Sequence, residues 1–201
     1  MRRLVLASSL SVAMAFALQA QETPRITYDF GAGFTQGVGR TGSNLDTGWN
    51  VQGGPTYNIF PFLGVKLDVG YNSFGVNSGT LTGLGLQSGN FNVLSATVNP
   101  ILRLRPKSRI DPYLVAGYGV YHYTQSFAQP VGASGTPFSP FFGGFLSNEY
   151  SATHGGFDAG AGVEFASKGR WKVYGEARYN RILSSYGQHF DYLPVTFGVR
   201  F

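Results

Sequence analysis

The chain has 201 residues, of which 43% are hydrophobic, 15% aromatic and 12% charged, with 29 glycines, no cysteine and a formal net charge of +5. This length predicts a single domain, and the abundance of glycine and aromatic residues favours strands over helices. The absence of cysteine excludes disulfides, thiolate metal sites, cysteine nucleophiles and a lipidated cysteine anchor, and the weak positive charge gives no indication of nucleic-acid binding.

Residues 1–20 have the layout of a secretory signal peptide. Arg2 and Arg3 precede an apolar stretch that ends in small residues. We expect this segment to be removed, which lowers the formal charge from +5 to +3, and to leave one domain over 21–201. Cleavage after Ala17 and cleavage after Ala20 remain alternatives. A membrane-anchoring helix is disfavoured because the apolar run is short for crossing a bilayer.

The rest of the chain alternates apolar and polar residues in segments of about ten, which is typical of a membrane-spanning β-barrel. Clusters of Gly, Asn, Ser and Pro separate these segments. We predict eight strands, at 25–38, 49–60, 63–76, 91–106, 112–127, 155–167, 171–183 and 193–201.

The links between the predicted strands alternate between short and long. Short links fall at 60–62, 106–111 and 167–170, and longer ones at 39–48, 77–90, 128–154 and 184–192. Barrels of the outer membrane have short turns on the periplasmic side and longer loops outside. The pattern therefore predicts an all-β, eight-stranded, antiparallel up-and-down transmembrane barrel.

The alternation predicts an apolar outer face and a polar lumen. In the segment LGVKLDVGYN at 63–72, one face is entirely apolar and the other carries a lysine and an aspartate. Because a barrel of eight strands is just wide enough for its side chains to fill, we expect the inward charges to neutralise one another and close the lumen. The predicted ion network comprises Asp29, Lys66, Asp68, Arg103, Arg105, Asp158, Glu164, Lys172, Glu176, Arg178 and Arg200.

Several segments resemble the small eight-stranded outer-membrane barrels of the OmpA/OmpX type. They are the signal peptide, PYLVAGYGV at 112–120, WKVYGEARY at 171–179 and VTFGVRF at 195–201. The resemblance implies a bacterial outer-membrane location and a monomer in contact with membrane lipid. It also implies that Phe197, Val199 and Phe201 act as the signal that the barrel-assembly machinery reads.

Catalysis has one candidate position, His122 in the segment YHYTQS at 121–126. Lipid A deacylases, which are similar in fold, use a lipid-facing histidine with a nearby serine, and here the first serine after His122 is Ser126. The alternative, a rim histidine among interfacial tyrosines, is favoured, so we expect no enzyme. No cofactor or metal site is predicted.

The longest link contains four phenylalanines, Phe138, Phe141, Phe142 and Phe145. Exposed rings on an extracellular loop can mark a contact site for a partner, and they can equally fold down as a lid. We therefore expect a structural or surface-interaction role. The alternatives are a narrow channel for small solutes, a lipid A-modifying enzyme, and a soluble carrier of lipocalin type suggested by TGW at 47–49.

Overall fold

A computed structural model describes residues 24–106, 108–128, 149–166, 171–183 and 189–201. The strands are β1 Ile26–Val38, β2 Gly48–Phe60, β3 Leu63–Gly75, β4 Ser88–Arg103, β5 Ile110–Ala128, β6 Glu149–Ala166, β7 Lys172–Leu183 and β8 His189–Arg200. Two short helices, α1 Gly39–Gly42 and α2 Ser78–Leu84, lie in the first two long links. Among these residues no helix is long and apolar enough to cross a membrane.

The eight strands form a closed barrel in which every strand pairs antiparallel with its neighbours in sequence. The ring closes between β1 and β8, with Asp29 opposite Arg200 at one end of this seam and Val38 opposite Asp191 at the other. Closure leaves no strand without a partner, which is what a sheet needs where water cannot satisfy its backbone groups. The predicted fold class is confirmed.

The outer surface of the barrel is an apolar belt. Outward side chains such as Phe30, Leu67 and Phe197 are 61%, 54% and 61% exposed. A protein in water rarely exposes so large a continuous apolar surface, whereas a bilayer requires it. The carrier alternative is wrong, because it needs the apolar face inside.

Aromatic side chains mark both edges of the belt. At the edge with the short turns, the Phe201 ring lies 5.0 Å from Trp171 and 6.1 Å from Tyr28 between ring centroids. At the opposite edge, Trp49 and Tyr71 lie 5.4 Å apart. Such paired girdles are typical of side chains at the two membrane interfaces.

Three strands begin at least three residues earlier in the chain than the sequence predicts. β4 begins at Ser88, β6 at Glu149 and β8 at His189. The added residues either lack apolar side chains, as in SGN at 88–90, or alternate in the opposite phase, as in HFDY at 189–192, where Phe190 and Tyr192 point into the lumen. Pairing with the neighbouring strands nevertheless continues, as in the register between Ser126 and Glu149.

Candidate functional site

A chain of alternating charges fills the part of the lumen nearer the short turns. We call it the ion-pair chain, and it runs in contact order through Lys172, Glu164, Arg200, Asp29, Lys66, Asp68, Arg178 and Glu176. Lys66 Nζ lies 2.5 Å from Asp29 Oδ1 and 2.9 Å from Asp68 Oδ1. Because each charge has neighbours of opposite sign, the charges compensate one another in a space with little access to water.

Arg178 is the branch point of the ion-pair chain. Its NH1 lies 2.6 Å from Asp68 Oδ2 and 3.7 Å from Asp158 Oδ1, and its Nε donates to Glu176 Oε1 at 2.6 Å. One guanidinium therefore contacts three buried carboxylates that come from β3, β6 and β7. This geometry uses the planar, multiply donating head that arginine has and lysine lacks.

Neutral side chains complete the hydrogen bonding of the carboxylates. Glu176 accepts from Gln52 Nε2 and from the Tyr113 hydroxyl, each at 2.8 Å. Asp158 accepts from Asn99 Nδ2 at 2.7 Å. These amide and phenol donors satisfy oxygens that a single cation would leave unpaired.

Arg200 lies at the end of the final strand and is almost fully buried, with 2% of its surface exposed. Its guanidinium contacts Glu164 and Asp29. Its guanidinium carbon also lies 5.5 and 5.4 Å from the ring centroids of Tyr113 and Tyr174. Cation–π contact with the two rings adds to the stabilisation of this buried charge.

The structure brings together ten of the eleven side chains predicted for the ion network. Lys172 stands at the mouth, with 38% of its side chain exposed. The prediction for Arg105 is wrong, because β4 has ended at Arg103 and the Arg105 side chain is exposed on the turn. Its backbone N–H instead donates to Asp111, a buried carboxylate that the sequence analysis missed.

The half of the lumen nearer the long links is apolar, which corrects the expectation of a polar interior throughout. Five inward rings form what we call the aromatic plug, Phe74, Phe91, Tyr123, Phe190 and Tyr192. Phe91 and Phe190 lie 4.7 Å apart, and Phe74 packs edge-on against Phe190 and Tyr192 at 5.8 Å. Each ring is at most 1% exposed.

The first two long links cover the aromatic plug. Leu45 from the first link and Val76 and Leu86 from the second are buried against it. The links also bond to each other, since Asn77 N donates to Asn44 O at 3.0 Å. These contacts turn two extended loops into a packed lid over the barrel.

Catalysis at His122 finds no support in the geometry. The ring of His122 points outward and is exposed, and its Nδ1 lies 2.9 Å from Thr153 Oγ1. Ser126 is four residues further along the same strand, about 13 Å away at the usual strand rise, so the two cannot share a proton. The neighbouring Tyr121 and Tyr123 are buried in the lumen, which corrects their interpretation as interfacial residues.

Two other sets of predicted residues remain, the assembly signal at the end of the last strand and the phenylalanines of the longest link. Phe197, Val199 and Phe201 all point outward, into the belt or its aromatic edge. The predicted contact rings Phe138, Phe141, Phe142 and Phe145 lie outside the described residues. No cluster of three or more candidate metal ligands occurs among the residues described.

Comparison with known proteins agrees with this architecture. The sequence profile of the outer membrane protein beta-barrel domain matches residues 4–201. No curated protein matches the sequence.

Solved structures with a similar fold include three outer-membrane or surface proteins. Neisserial surface protein A has a TM-score of 0.60 at 18% identity, over 88% of this chain and 96% of that one. OprG of Pseudomonas aeruginosa has a TM-score of 0.52 at 14% identity, over 90% and 99%. Ail of Yersinia pestis in complex with the heparin analogue sucrose octasulfate has a TM-score of 0.50 at 19% identity, over 89% and 100%.

Proposed function

The chain belongs to the outer membrane protein beta-barrel family, and on that premise we propose that it is a non-conducting barrel with a structural or surface-interaction role. Family membership indicates a bacterial outer-membrane location. The observation that carries the proposal is the double filling of the lumen. The ion-pair chain occupies one half, and the aromatic plug with its lid occupies the other.

Two layers of different chemistry make a stronger barrier than either alone. A small cation that entered from the short-turn side would have to displace a buried, paired charge such as Lys66, which is 0% exposed. A polar solute that entered from the other side would have to leave its hydration shell among rings such as Phe91. We therefore expect neither layer to offer a continuous aqueous path.

Planar-bilayer recording of the refolded mature chain tests the proposal. We expect no steady conductance. A variant that thins both layers, Phe91→Ala with Arg178→Ala, should conduct if it still gives a heat-modifiable band, and it serves as the positive control. Steady open conductance of the unaltered chain would contradict the proposal and favour the narrow-channel alternative.

The long links are proposed to face the cell exterior. β5 and β6 continue beyond the belt, and their outward side chains there, such as Thr124 and Ser151, are polar. We expect a protease added to intact cells to cut only in the long links. Cleavage of intact cells at the short turn between β2 and β3 would reverse the orientation.

The chemistry of this side favours a partner other than a polyanion. Its exposed acids include Asp46 and Glu149, and its Arg181 already bonds Asp191 at 2.8 Å. Ail binds a sulfated heparin analogue in its solved complex, but we expect intact cells that display this chain to bind no more labelled heparin than cells that lack it. Increased binding by the displaying cells would identify a basic surface on the long-link side.

Biogenesis is proposed to follow the resemblance stated above, with export through a cleaved signal peptide, a monomeric product and recognition of Phe197, Val199 and Phe201 by the assembly machinery. Phe201→Ala should slow the appearance of the heat-modifiable form in cells. Phe30→Ala, which removes an outward ring with 61% exposure from another strand, is the matched control. Equal delay in both variants would refute a specific signal.

A further inference from the structure

The seam between β1 and β8 is incomplete at the short-turn end. Its last backbone pair joins Tyr28 and Phe201, whose two hydrogen bonds have nitrogen-to-oxygen distances of 2.8 and 2.9 Å. β1 begins two residues earlier and continues along β2, where Ile26 stands opposite Tyr57. Beside this pair, residues 24–27 and the Phe201 ring border an opening in the barrel wall, which we call the notch.

A cavity of about 640 Å³ occupies this notch. It runs from the mouth of the lumen, at Arg103 and Arg200, to the edge of the apolar belt, at Tyr28 and Phe201. Its other walls are Pro24, Ile26, Thr27, Asn58, Pro61, Pro106 and Lys172. The basic side chains at one end, which we call the cationic end, also pair with Glu164 and Asp29. The other end is continuous with the membrane-facing surface.

The cationic end has unused hydrogen-bonding capacity. Arg103, Lys172 and Arg200 line the cavity, and no carboxylate of the described residues is among its walls. Arg103 and Arg200 are 5% and 2% exposed. Arg200 Nε has no hydrogen-bond partner, and Arg103 Nε has only a 3.5 Å contact with Glu164 Oε1. An anion in the cavity would supply the missing acceptors.

The approach to the cavity is also basic. Arg25, Arg105 and Arg109 are exposed on the same rim. None of the three forms an ion pair with another residue in the described part of the chain. Basic side chains at a membrane surface attract anionic lipids. A ligand with a negative head and an apolar tail therefore matches the whole path from rim to cavity.

We propose that the notch binds an anionic phospholipid of the adjacent leaflet. Its phosphate lies against Arg103, Lys172 and Arg200, and its acyl chains leave between Ile26 and Phe201 into the belt. Guanidinium groups suit this role because they donate two parallel hydrogen bonds to phosphate oxygens. This proposal rests on the outer-membrane placement and does not depend on whether the lumen conducts.

The two tryptophans of the chain allow a direct test. Trp171 lies beside Phe201 at the notch, and Trp49 lies at the opposite edge of the belt. The variant Trp49→Phe keeps only the reporter at the notch, and Trp171→Phe keeps only the distant one. Each full-length mature variant is refolded into phosphatidylcholine vesicles that contain a minor fraction of brominated phosphatidylglycerol or, separately, the same fraction of brominated phosphatidylcholine.

We expect brominated phosphatidylglycerol to quench Trp171 more strongly than brominated phosphatidylcholine does. We expect the two brominated lipids to quench Trp49 to the same extent. Lys172→Gln should weaken the preference roughly five-fold, the effect of one basic side chain near an anionic lipid. Ile26→Asp, at an exposed position, should also weaken it. Arg105→Gln, which removes a charge from the approach and not from the cavity, should weaken it less than Lys172→Gln does, and Arg181→Gln, at the opposite end of the barrel, should preserve it.

Three results would overturn the proposal. They are equal quenching of Trp171 by the two lipids, a preference that survives both Lys172→Gln and Ile26→Asp, and an equal loss in Arg105→Gln, which would indicate diffuse attraction by the rim. A heat-modifiable band verifies folding of each variant. If brominated phosphatidylcholine quenches neither tryptophan, the membrane placement itself fails, which is a distinguishable outcome.

Discussion

Arg178 on β7 and Asp68 on β3 meet across the bore of the barrel, with 2.6 Å between NH1 and Oδ2. In a ring of eight strands these two are diametrically opposite. Backbone hydrogen bonds connect only neighbouring strands, so this pair is a tie that the sheet cannot provide. It links two walls that would otherwise be held together only through the strands between them.

Replacement of Arg178 by alanine should therefore destabilise the barrel strongly. The substitution leaves Asp68, Asp158 and Glu176 buried without their shared cation, and breaking a buried pair costs about 3–5 kcal/mol. The measurement is urea unfolding of the refolded chain in vesicles. Arg105→Ala, which removes an exposed arginine that forms no ion pair in the described part of the chain, should change the midpoint little. Equal effects of the two variants would contradict a special role for the buried site.

The aromatic plug should contribute to stability independently of the ion-pair chain. Phe91 is fully buried against Phe190 and Tyr123, and truncation of a buried phenylalanine costs about 3–5 kcal/mol. Leu94→Ala, on the outward face of the same strand with 49% exposure, should cost less because lipid fills the space. If Phe91→Ala unfolds with the same urea midpoint as the wild type, the plug is loosely packed.

The alternation of side chains predicts both the barrel and which face of its strands points outward. The segment at 63–72 alone separates an apolar face from a charged one, and the structure places these faces outside and inside. The aromatic plug could have been found by continuing the same parity, because Phe74 is in phase with Lys66 and Asp68. The predicted polar lumen does not include it, because the parity is followed only over 63–72, where every inward residue is polar or glycine.

Other features could not be read from the alternation. Arg105 is in phase with Arg103, but β4 ends between them, and the end of a strand depends on pairing with a neighbour distant in sequence. The notch at residues 24–27 likewise depends on where β8 ends relative to β1. The partners of each charge, such as Tyr113 on Glu176, require the register of the whole ring.

Gly162 should resist substitution because its inward position is occupied by a neighbouring ring. A Cβ there would overlap the Tyr113 hydroxyl and lie 2.8 Å from the Gly175 carbonyl oxygen. Gly162→Ala should displace Tyr113 from Glu176 and cost about 1–3 kcal/mol, the usual effect of overpacking. In Gly175→Ala the nearest atoms belong to the Phe197 ring at 3.4 Å, so this control should unfold near the wild-type urea concentration. Equal tolerance would contradict tight packing at Gly162.

His122→Ala should leave lipid A unchanged in the host strain. The ring is exposed on the outer face and bonds Thr153, and no serine lies within proton-transfer distance on its strand. Mass spectrometry of extracted lipid A, compared between this variant, the wild type and a strain that lacks the gene, is the measurement. A change of acylation that appears in both His122→Ala and the deletion strain would establish the enzymatic alternative.

The lid should depend on Asn77, which begins α2 and also ties it to the first long link. Its Oδ1 accepts from Thr80 N at 2.8 Å, and its Nδ2 donates to Ser43 O at 2.7 Å. Loss of a helix N-cap costs about 1 kcal/mol, so Asn77→Ala should speed amide hydrogen exchange over residues 78–87 and leave the strands protected. Thr82→Ala, at an exposed site in the same helix, should preserve or slow exchange because alanine is the better helix former. Unchanged protection in Asn77→Ala would show that burial of Leu45 and Leu86 against the plug holds the lid without its cap.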